Sequence, residues 1–433
     1  MRAILRTALA MAVATAFSCT VAAVETELQD PEVAGPSLQS IQRFVEVYRL
    51  VKAAYVEPVS DEVLIESAIH GMLAGLDPHT GYLDADSLEV LTDDTMGAYD
   101  GLGVEVLSGE GVIQVMGAMP DSPAAAAGLR SGDYITHIDG TAVDRNNLDQ
   151  SVRKLRGRPG TRVQLTVTRD GDESPRMVEL TRARIRLSSV RSEWLEQGYG
   201  YLHIAQCQQE TVGEMRRRLS EMERRQGPLR GLVLDLRGNP GGTLDSAVAV
   251  SDLFLSGGRI VSVDGRIAET KLSYDARPGQ PYEALPLAVL IDEGTASAAE
   301  IIAAALQAHN RALVLGRRSY GKGSVQNVFA LDGEHAVRLT TARYFTADGR
   351  SIQADGVHPD IVLADLALSE ETTLAPMLVE RDLPGHLPGN GDVPADEAAV
   401  ATTRDYAVHQ ALLALKSQAV LAGRQAAPAS SNR

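Results

Sequence analysis

Cysteine is scarce in this chain, and its two cysteines, Cys19 and Cys207, bear on where the protein resides and how it is stabilised. Cys19 lies in an N-terminal segment that carries Arg2 and Arg6, then an apolar run, then a stretch of small residues. This order is typical of a signal peptide, which we place at residues 1–23. Once that peptide is removed, Cys207 remains alone. An intramolecular disulfide is then excluded, even in an oxidising compartment.

Long hydrophobic runs are also missing after this leader. No later segment approaches about 18 uninterrupted apolar residues, the length that a membrane-spanning helix requires. We therefore expect the mature protein in the periplasm, with peripheral membrane association as a further option. A lipid anchor at Cys19 is the competing interpretation, but Ala16-Phe17-Ser18-Cys19 lacks the leucine and the small residue expected before a lipidated cysteine.

Positive charge is under-represented, because 41 lysines and arginines face 57 aspartates and glutamates, a net charge of -16. Removal of two leader arginines makes the mature chain more acidic still, which disfavours nucleic acid and anionic membranes as partners. The histidines are scattered, with no HExxH motif and no Cys/His cluster at metal-ligand spacing. The sequence therefore predicts protein partners, no metal site and no other cofactor.

The rest of the chain divides into four segments of different texture. Residues 24–92 have apolar positions at helical spacing, and residues 93–183 have short β-like runs broken by Gly and Pro. In residues 184–365, buried-type strands alternate with helical patterns, which favours a layered α/β core. Residues 366–433 combine a helical segment with a polar tail that we expect to be disordered.

Two short segments of the core carry the strongest chemical signal. Ser297 opens a helical pattern after the apolar run 287–291, and Lys322 lies 25 residues later between two glycines. A lysine whose charged form is destabilised by burial can take the proton of a serine hydroxyl, so these residues fit a Ser/Lys dyad. A helix start also favours developing negative charge. The alternative is that Ser297 only caps its helix, because Ser297-Ala298-Ala299-Glu300 fits a capping box.

The lysine has a rival interpretation as part of a nucleotide site. Residues 316–322 follow a strand-like segment and nearly match a phosphate-binding P-loop. The match fails because Gly323 stands where a Ser or Thr must bind magnesium, and because residues 325–331 have a strand-like pattern where a helix is required. In a strand that leaves Lys322, Gln326 points to the same face, where its amide oxygen could orient the lysine.

Two glycine-containing segments are candidates for binding a negatively charged group through their backbone N–H groups. Residues 237–242, Arg-Gly-Asn-Pro-Gly-Gly, lie between a buried strand and a helix. Glycines there let N–H groups approach a ligand, which predicts half of an oxyanion hole, with a plain tight turn as the alternative. Gly101, Leu102, Gly103 and Val104 open a strand of the β-rich segment. Such a loop can hold a peptide's C-terminal carboxylate while the strand edge pairs with the peptide.

Six motifs, in this order, resemble those of the carboxyl-terminal processing peptidases, which are also called tail-specific proteases. They are residues 71–79, 101–140, 235–242, 294–300, 321–326 and 340–344. The resemblance implies an α/β fold in which a PDZ domain is inserted between an N-terminal helical part and a layered core of the crotonase and Clp-protease type. It also implies roles for five residues: Ser297 as nucleophile, Lys322 as general base, Gln326 as its orienter, and the amides of Ala298 and of either Gly241 or Gly242 as oxyanion donors.

We therefore expect a serine endopeptidase that binds C-terminal tails of exported proteins through its PDZ domain and cuts them through an acyl-enzyme, without a cofactor. Lys322 must then be neutral, which requires a pKa of about 7 or 8. The apolar terminal helices favour a homo-oligomer or an adaptor or activator protein as a further partner. The alternative from another class is a non-catalytic PDZ scaffold, against which the intact Ser297, Lys322 and Gln326 argue.

Overall fold

The computed structural model describes residues 35–109, 112–145, 147–172, 174–364, 366 and 405–426. The predicted signal peptide and the last residues of the predicted tail lie outside these ranges. Within them, no helix is both long enough and apolar enough to cross a membrane. The chain divides into two compact units, a smaller one of Met1–Leu88 with Gln326–Thr340 and a larger one of Glu89–Val325 with Thr341–Arg433.

The described residues form helices at both ends of the chain and a mixture of helices and runs of strands between them. The helices are α1 (Leu38–Ala54), α2 (Asp61–Ala74), α3 (Ala85–Met96), α4 (Pro123–Ala126), α5 (Leu148–Arg153), α6 (Thr211–Gln226), α7 (Leu244–Asp252), α8 (Ala298–Ala308) and α9 (Tyr406–Ala426). The strands are β1 (Gly81–Leu83), β2 (Ala98–Gly101), β3 (Val104–Gly109), β4 (Val112–Ala118), β5 (Tyr134–Ile138), β6 (Thr141–Ala142), β7 (Arg162–Thr168), β8 (Arg176–Thr181), β9 (Ala183–Arg186), β10 (Val190–Glu196), β11 (Tyr199–Ile204), β12 (Gly231–Asp235), β13 (Arg259–Gly265), β14 (Leu272–Asp275), β15 (Leu287–Ile291), β16 (Leu313–Gly316), β17 (Ser324–Ala330), β18 (Ala336–Thr346) and β19 (Ile361–Val362).

The smaller unit contains α1 and α2, the two helices predicted from apolar spacing near the N-terminus. α2 begins after Ser60, whose hydroxyl accepts a hydrogen bond from the N–H of Val63 at 3.3 Å. At the turn that follows, the carboxylate of Asp77 accepts from the N–H groups of His79 and Thr80 at 2.8 and 3.0 Å. This turn ends the helical segment and leads into β1, which pairs antiparallel with the first part of β18.

The β-rich part of the larger unit is a sheet in the order β3-β4-β5-β7-β8, so β3 lies at an edge. α4 begins as predicted, since the hydroxyl of Ser122 accepts from the N–H of Ala125 at 3.1 Å. Inside the domain, Arg169 Nε donates to the fully buried carboxylate of Asp133 at 2.6 Å. Burial raises the pKa of Asp133. The hydrogen bonds from Arg169 and from the N–H of Arg130 have the opposite and larger effect, so the net result is a lowered pKa.

The α/β core is built on the sheet β10-β11-β12-β15-β16-β19, in which all neighbours from β11 onward are parallel. Alternate side chains of β12 enter different layers. Leu232 and Leu234 pack in the layer that contains α6, α7 and α8, whereas Val233 packs against the layer of α9. The predicted layered α/β class is therefore confirmed. Because β12, β15 and β16 are adjacent and parallel, the loops that follow them meet at one edge of the sheet.

A second sheet completes the larger unit. β13 pairs antiparallel with β14 and with the last part of β18, from Ala342 to Thr346. Val261, Val263 and Tyr344 of these strands belong to the same buried cluster as α8. The helix that carries the predicted nucleophile is thus packed between two sheets, which makes its position rigid.

Candidate active site

Ser297 lies at the sharp turn between β15 and α8. Its backbone has φ 54° and ψ -115°, a conformation that a non-glycine residue keeps only when its surroundings impose it. Two hydrogen bonds hold the residues before it. The N–H of Ala296 donates to the carbonyl oxygen of Asn239 at 2.9 Å, and the hydroxyl of Thr295 donates to the carbonyl oxygen of Leu236 at 2.8 Å. A serine on a strained strand-to-helix turn has the local geometry of a nucleophile elbow.

Glu300 connects this turn to the loop that carries the predicted base. The residue is fully buried, and its two carboxylate oxygens accept four hydrogen bonds. Oε2 accepts from the N–H of Ser297 at 2.7 Å and from that of Lys322 at 2.8 Å. Oε1 accepts from the hydroxyl of Ser319 at 2.5 Å and from the N–H of Gly321 at 2.7 Å. One buried carboxylate therefore fixes the backbones of both dyad residues.

The loop of Lys322 leads into a strand, as the sequence predicts, since β17 begins at Ser324. The N–H groups of Gly321 and Lys322, which a P-loop would offer to phosphate, donate instead to Glu300. A carboxylate in that position repels phosphate. The geometry therefore argues against the nucleotide-site interpretation.

The glycine loop after β12 lies directly against Ser297. A Cβ added to Gly241 would come within 2.8 Å of Ser297 Cβ and 3.0 Å of the backbone nitrogen of Ala298. The N–H of Gly241 itself donates to Oδ1 of Asn239 at 2.9 Å. Gly242 forms an isolated β-bridge with Cys207. In this bridge the N–H of Cys207 donates to the carbonyl oxygen of Gly241, and the N–H of Gly242 takes no part. The N–H of Gly241 is thus engaged within its own loop, and the role of either glycine as the second oxyanion donor stays a prediction.

Three family models match the chain. They are peptidase family S41 at residues 198–363, the PDZ domain at residues 114–169, and the N-terminal domain of the activating protease CtpB at residues 8–87. A carboxy-terminal-processing protease of Bartonella bacilliformis is 39% identical over 353 residues, which cover 81% of this chain and 81% of that protein. The chain belongs to the carboxy-terminal processing protease family. The predicted family and its serine-type peptidase class are thereby confirmed.

Other members of the family are similar over much of their length. The carboxy-terminal processing protease CtpA of Bacillus subtilis is 31% identical over 316 residues, which cover 72% of this chain and 67% of that protein. A solved structure of a photosystem II D1 C-terminal processing protease is 29% identical, with a TM-score of 0.44, and covers 77% of this chain and 95% of that one. The S41 match contains the glycine loop, the Ser297 turn and the Lys322 loop of this peptidase.

Gln326, the predicted orienter, belongs to the smaller unit. Its side-chain nitrogen donates to the hydroxyl of Thr340 at 3.2 Å, and that hydroxyl donates to Oδ1 of Asp77 at 3.2 Å. This chain fixes the orientation of the amide, with the nitrogen toward Thr340. The role of Gln326 toward Lys322 stays a prediction.

The predicted carboxylate loop of the PDZ domain is covered by an aromatic side chain. The ring of Tyr99 lies against Gly101, where an added Cβ would be 2.8 Å from the ring carbon Cε2. Burial raises the pKa of Tyr99, while the Arg156 guanidinium, 5.2 Å from the ring centre, and the N–H groups of Gly103 and Val104 counteract that rise. The phenol oxygen thus lies near the N–H groups of Gly103 and Val104, in the loop that is predicted to hold a peptide carboxylate. Leu102 is buried in the domain core.

Sequence reasoning treated Glu300 only as part of a helix cap and did not find Tyr99. A signal for Glu300 exists, because it is the one charged residue in the otherwise apolar segment 298–306. A carboxylate in such a segment must be paired when it is buried. Among the described residues, no group of three or more His, Cys, Asp or Glu side chains could hold a metal ion.

Proposed function

We propose that this peptidase cleaves the unstructured C-terminal tails of exported proteins through an acyl-enzyme on Ser297, with Lys322 as the general base. The observation that carries this proposal is the pair of hydrogen bonds from Ser297 and Lys322 to the same oxygen of buried Glu300. A structural cap needs only the first of them. The second hydrogen bond, from the backbone N–H of Lys322, holds the lysine loop beside the turn of the strained Ser297, and this supports a Ser/Lys dyad.

In the proposed reaction, the neutral amine of Lys322 takes the proton of Ser297 Oγ as this oxygen attacks the scissile carbonyl carbon. The N–H groups of Ala298 and Gly242 stabilise the oxyanion; Ala298 is the first residue of α8, where N–H groups lack an acceptor within the helix. The lysine ammonium then protonates the leaving amine and the C–N bond breaks. A water molecule, deprotonated by Lys322, hydrolyses the ester and frees Ser297.

The tail is proposed to bind as an additional strand along β3. Support comes from the position of β3 at the sheet edge and from the Gly103 and Val104 amides at its start. A tail that enters this site must displace the Tyr99 hydroxyl. Its carboxylate then replaces a neutral hydroxyl, and this charged acceptor strengthens the hydrogen bonds to the amides.

The location and the partners are further parts of the proposal. The leader sequence supports export to the periplasm. A homo-oligomer or an adaptor is supported by α1, which has no buried residue although it carries large apolar side chains. Leu38, Phe44 and Leu50 expose 72%, 50% and 66% of their surface. A helix with this composition gains stability when another protein surface covers it.

The test compares the purified wild type with Ser297→Ala and Lys322→Met on an unstructured polypeptide that ends in an apolar residue. The wild type is expected to release C-terminal fragments at a rate that rises between pH 6 and 9, since Lys322 must lose its proton, and both variants are expected to be inactive. Binding of the intact polypeptide to Ser297→Ala is measured in parallel. Binding without cleavage by the wild type would support the PDZ scaffold instead.

A further inference from the structure

Asp405, the residue just before the C-terminal helix α9, has two sets of hydrogen-bond partners. The carboxylate of Asp405 accepts from the N–H groups of Ala407 and Val408 at 2.9 and 3.2 Å, which caps the helix. The same carboxylate accepts from Arg237, with Nη2 to Oδ2 at 2.8 Å and Nη1 to Oδ1 at 3.3 Å. Arg237 is the first residue of the glycine loop. A two-point ion pair therefore joins the start of α9 to the proposed oxyanion loop.

A second carboxylate holds Arg237 on its other side. Asp235, the last residue of β12, is 1% exposed and accepts from Arg237 Nε at 2.9 Å and from the hydroxyl of Tyr201 at 2.8 Å. Burial lowers the pKa of Arg237, but the hydrogen bonds that it donates to Asp235 and Asp405 raise the pKa by more. The opposite holds for Asp405. Burial raises its pKa, but the hydrogen bond from Arg237 opposes this effect, and the net result is a lowered pKa. The guanidinium therefore stays charged between two carboxylates.

The residue after Arg237 is tied to the turn that presents the nucleophile. The N–H of Gly238 donates to Oδ1 of Asp292 at 2.9 Å, and the N–H of Asp292 donates to the hydroxyl of Thr295 at 3.0 Å. Thr295 lies two residues before Ser297. A shift of the Arg237 backbone would therefore be transmitted both along the glycine loop and into the Ser297 turn.

The guanidinium of Arg237 is not enclosed by other side chains, because one side of it faces an open pocket. An open pocket of about 510 Å³ lies next to it, with Asp235, Arg237, Gly238 and Asp292 in its walls. The side chain of Arg237 is 26% exposed and that of Asp405 is 42% exposed. The pocket gives the guanidinium room to turn, so its hydrogen bonds rather than its packing decide its position.

We propose that Asp405 is a positioning residue, through which α9 holds Arg237 and the glycine loop in the conformation that presents the Gly242 N–H to the oxyanion. Asp405 acts through Arg237 and does not touch the substrate. The inference rests on the proposed function for its effect on turnover. Its effect on the loop itself can be measured without any substrate.

The deciding variant is Asp405→Asn. Asparagine keeps an oxygen that caps α9, but it removes the charge and places an amide NH₂ toward the Arg237 guanidinium. A matched control is Glu196→Gln, which breaks another ion pair between α9 and the sheet, from Lys416 Nζ to Glu196 Oε1 at 2.9 Å. Glu196 is 25% exposed and Lys416 45%, close to the values for Arg237 and Asp405.

We expect kcat of Asp405→Asn to fall about 10-fold with KM unchanged, because the loss concerns oxyanion alignment and not tail binding. Asp405→Glu, which keeps the charge, should recover most of that loss. Glu196→Gln should match the wild type. Equal kcat values for Asp405→Asn and Glu196→Gln, or a change in KM alone, would overturn the proposal.

Hydrogen–deuterium exchange gives the readout that is independent of proteolysis. In Asp405→Asn, the amides of Gly238, Asn239 and residues 241–243 should exchange at least threefold faster than in Glu196→Gln. The amides of α9 beyond its first turn should keep the same rates. Unchanged exchange in the glycine loop refutes the positioning role. If the wild type cleaves nothing but the loop exchange responds as expected, the proposed function fails and the positioning role stands.

Discussion

Replacement of Glu300 by glutamine tests how the buried carboxylate assembles the site. Each of its oxygens accepts from two donors, so either orientation of the glutamine amide places an NH₂ against two buried donors. An unsatisfied buried donor costs about 1–3 kcal/mol. Removal of a buried charge offsets part of this cost, which leaves a net loss of about 2–4 kcal/mol in the free energy of unfolding. The Ser297 turn and the Lys322 loop would also separate, and a displacement of about 1 Å can cost roughly 100-fold in kcat.

The assay measures kcat on a saturating unstructured substrate and, in a Ser297→Ala background, the denaturant midpoint from the fluorescence of Trp194 on β10, the single tryptophan of the chain. Asp252→Asn is the matched control. Asp252 is 3% exposed and accepts from the N–H and Nε of Arg277 at 2.6 and 3.0 Å, contacts that involve neither the Ser297 turn nor the Lys322 loop. Both variants should lose stability, but only Glu300→Gln should lose kcat. If both variants keep kcat within threefold of the wild type, Glu300 does not assemble the site.

Three more predictions concern the glycine loop, the PDZ domain and acid stability. Gly241→Ala, with its Cβ 2.8 Å from Ser297 Cβ at φ 105°, should reduce kcat by about 100-fold, while Gly279→Ala, also at positive φ but with open space around it, should leave kcat unchanged in the same assay. Tyr99→Phe should tighten tail binding about 2- to 10-fold by fluorescence anisotropy, because a tail no longer displaces a hydrogen-bonded hydroxyl; equal or weaker binding would contradict the occupied carboxylate loop. Since the pKa of Asp133 is lowered on folding, its ion pair stabilises the PDZ domain above its unfolded pKa of about 3.9, and this contribution is lost as the pH falls through the lowered value. Asp133→Asn should remove that part of the acid dependence in pH-dependent unfolding.

Local signals in the sequence predicted the elements that depend on local interactions. The start of α4 depends on Ser122 and the residues next to it, and β15 is apolar throughout, so its neighbours in the chain suffice to identify it. The placement of Ser297 and Lys322 on loops after strands also follows from local patterns. Parallel order of those strands then brings the loops together at one edge.

Contacts between distant residues could not be predicted in this way. The ion pair of Arg237 with Asp405 spans 168 positions, and nothing near either residue identifies the other. The four donors to Glu300 come from two segments about 20 residues apart, so the capping-box pattern shows only one of them. Tyr99 is apparent as the cover of the carboxylate loop only once β2 has placed its ring on Gly101. Such contacts depend on the tertiary fold, which periodicity does not encode.

The central claim is that Ser297 forms an acyl-enzyme with the substrate. The most direct test mixes the wild type with an unstructured substrate, quenches the reaction with acid within one turnover, and maps the peptides by mass spectrometry. We predict that the peptide containing Ser297 carries the mass of the N-terminal product as an ester, and that this adduct is absent in Ser297→Ala. Turnover by Ser297→Ala at the wild-type rate, or an adduct on a different residue, would contradict the account.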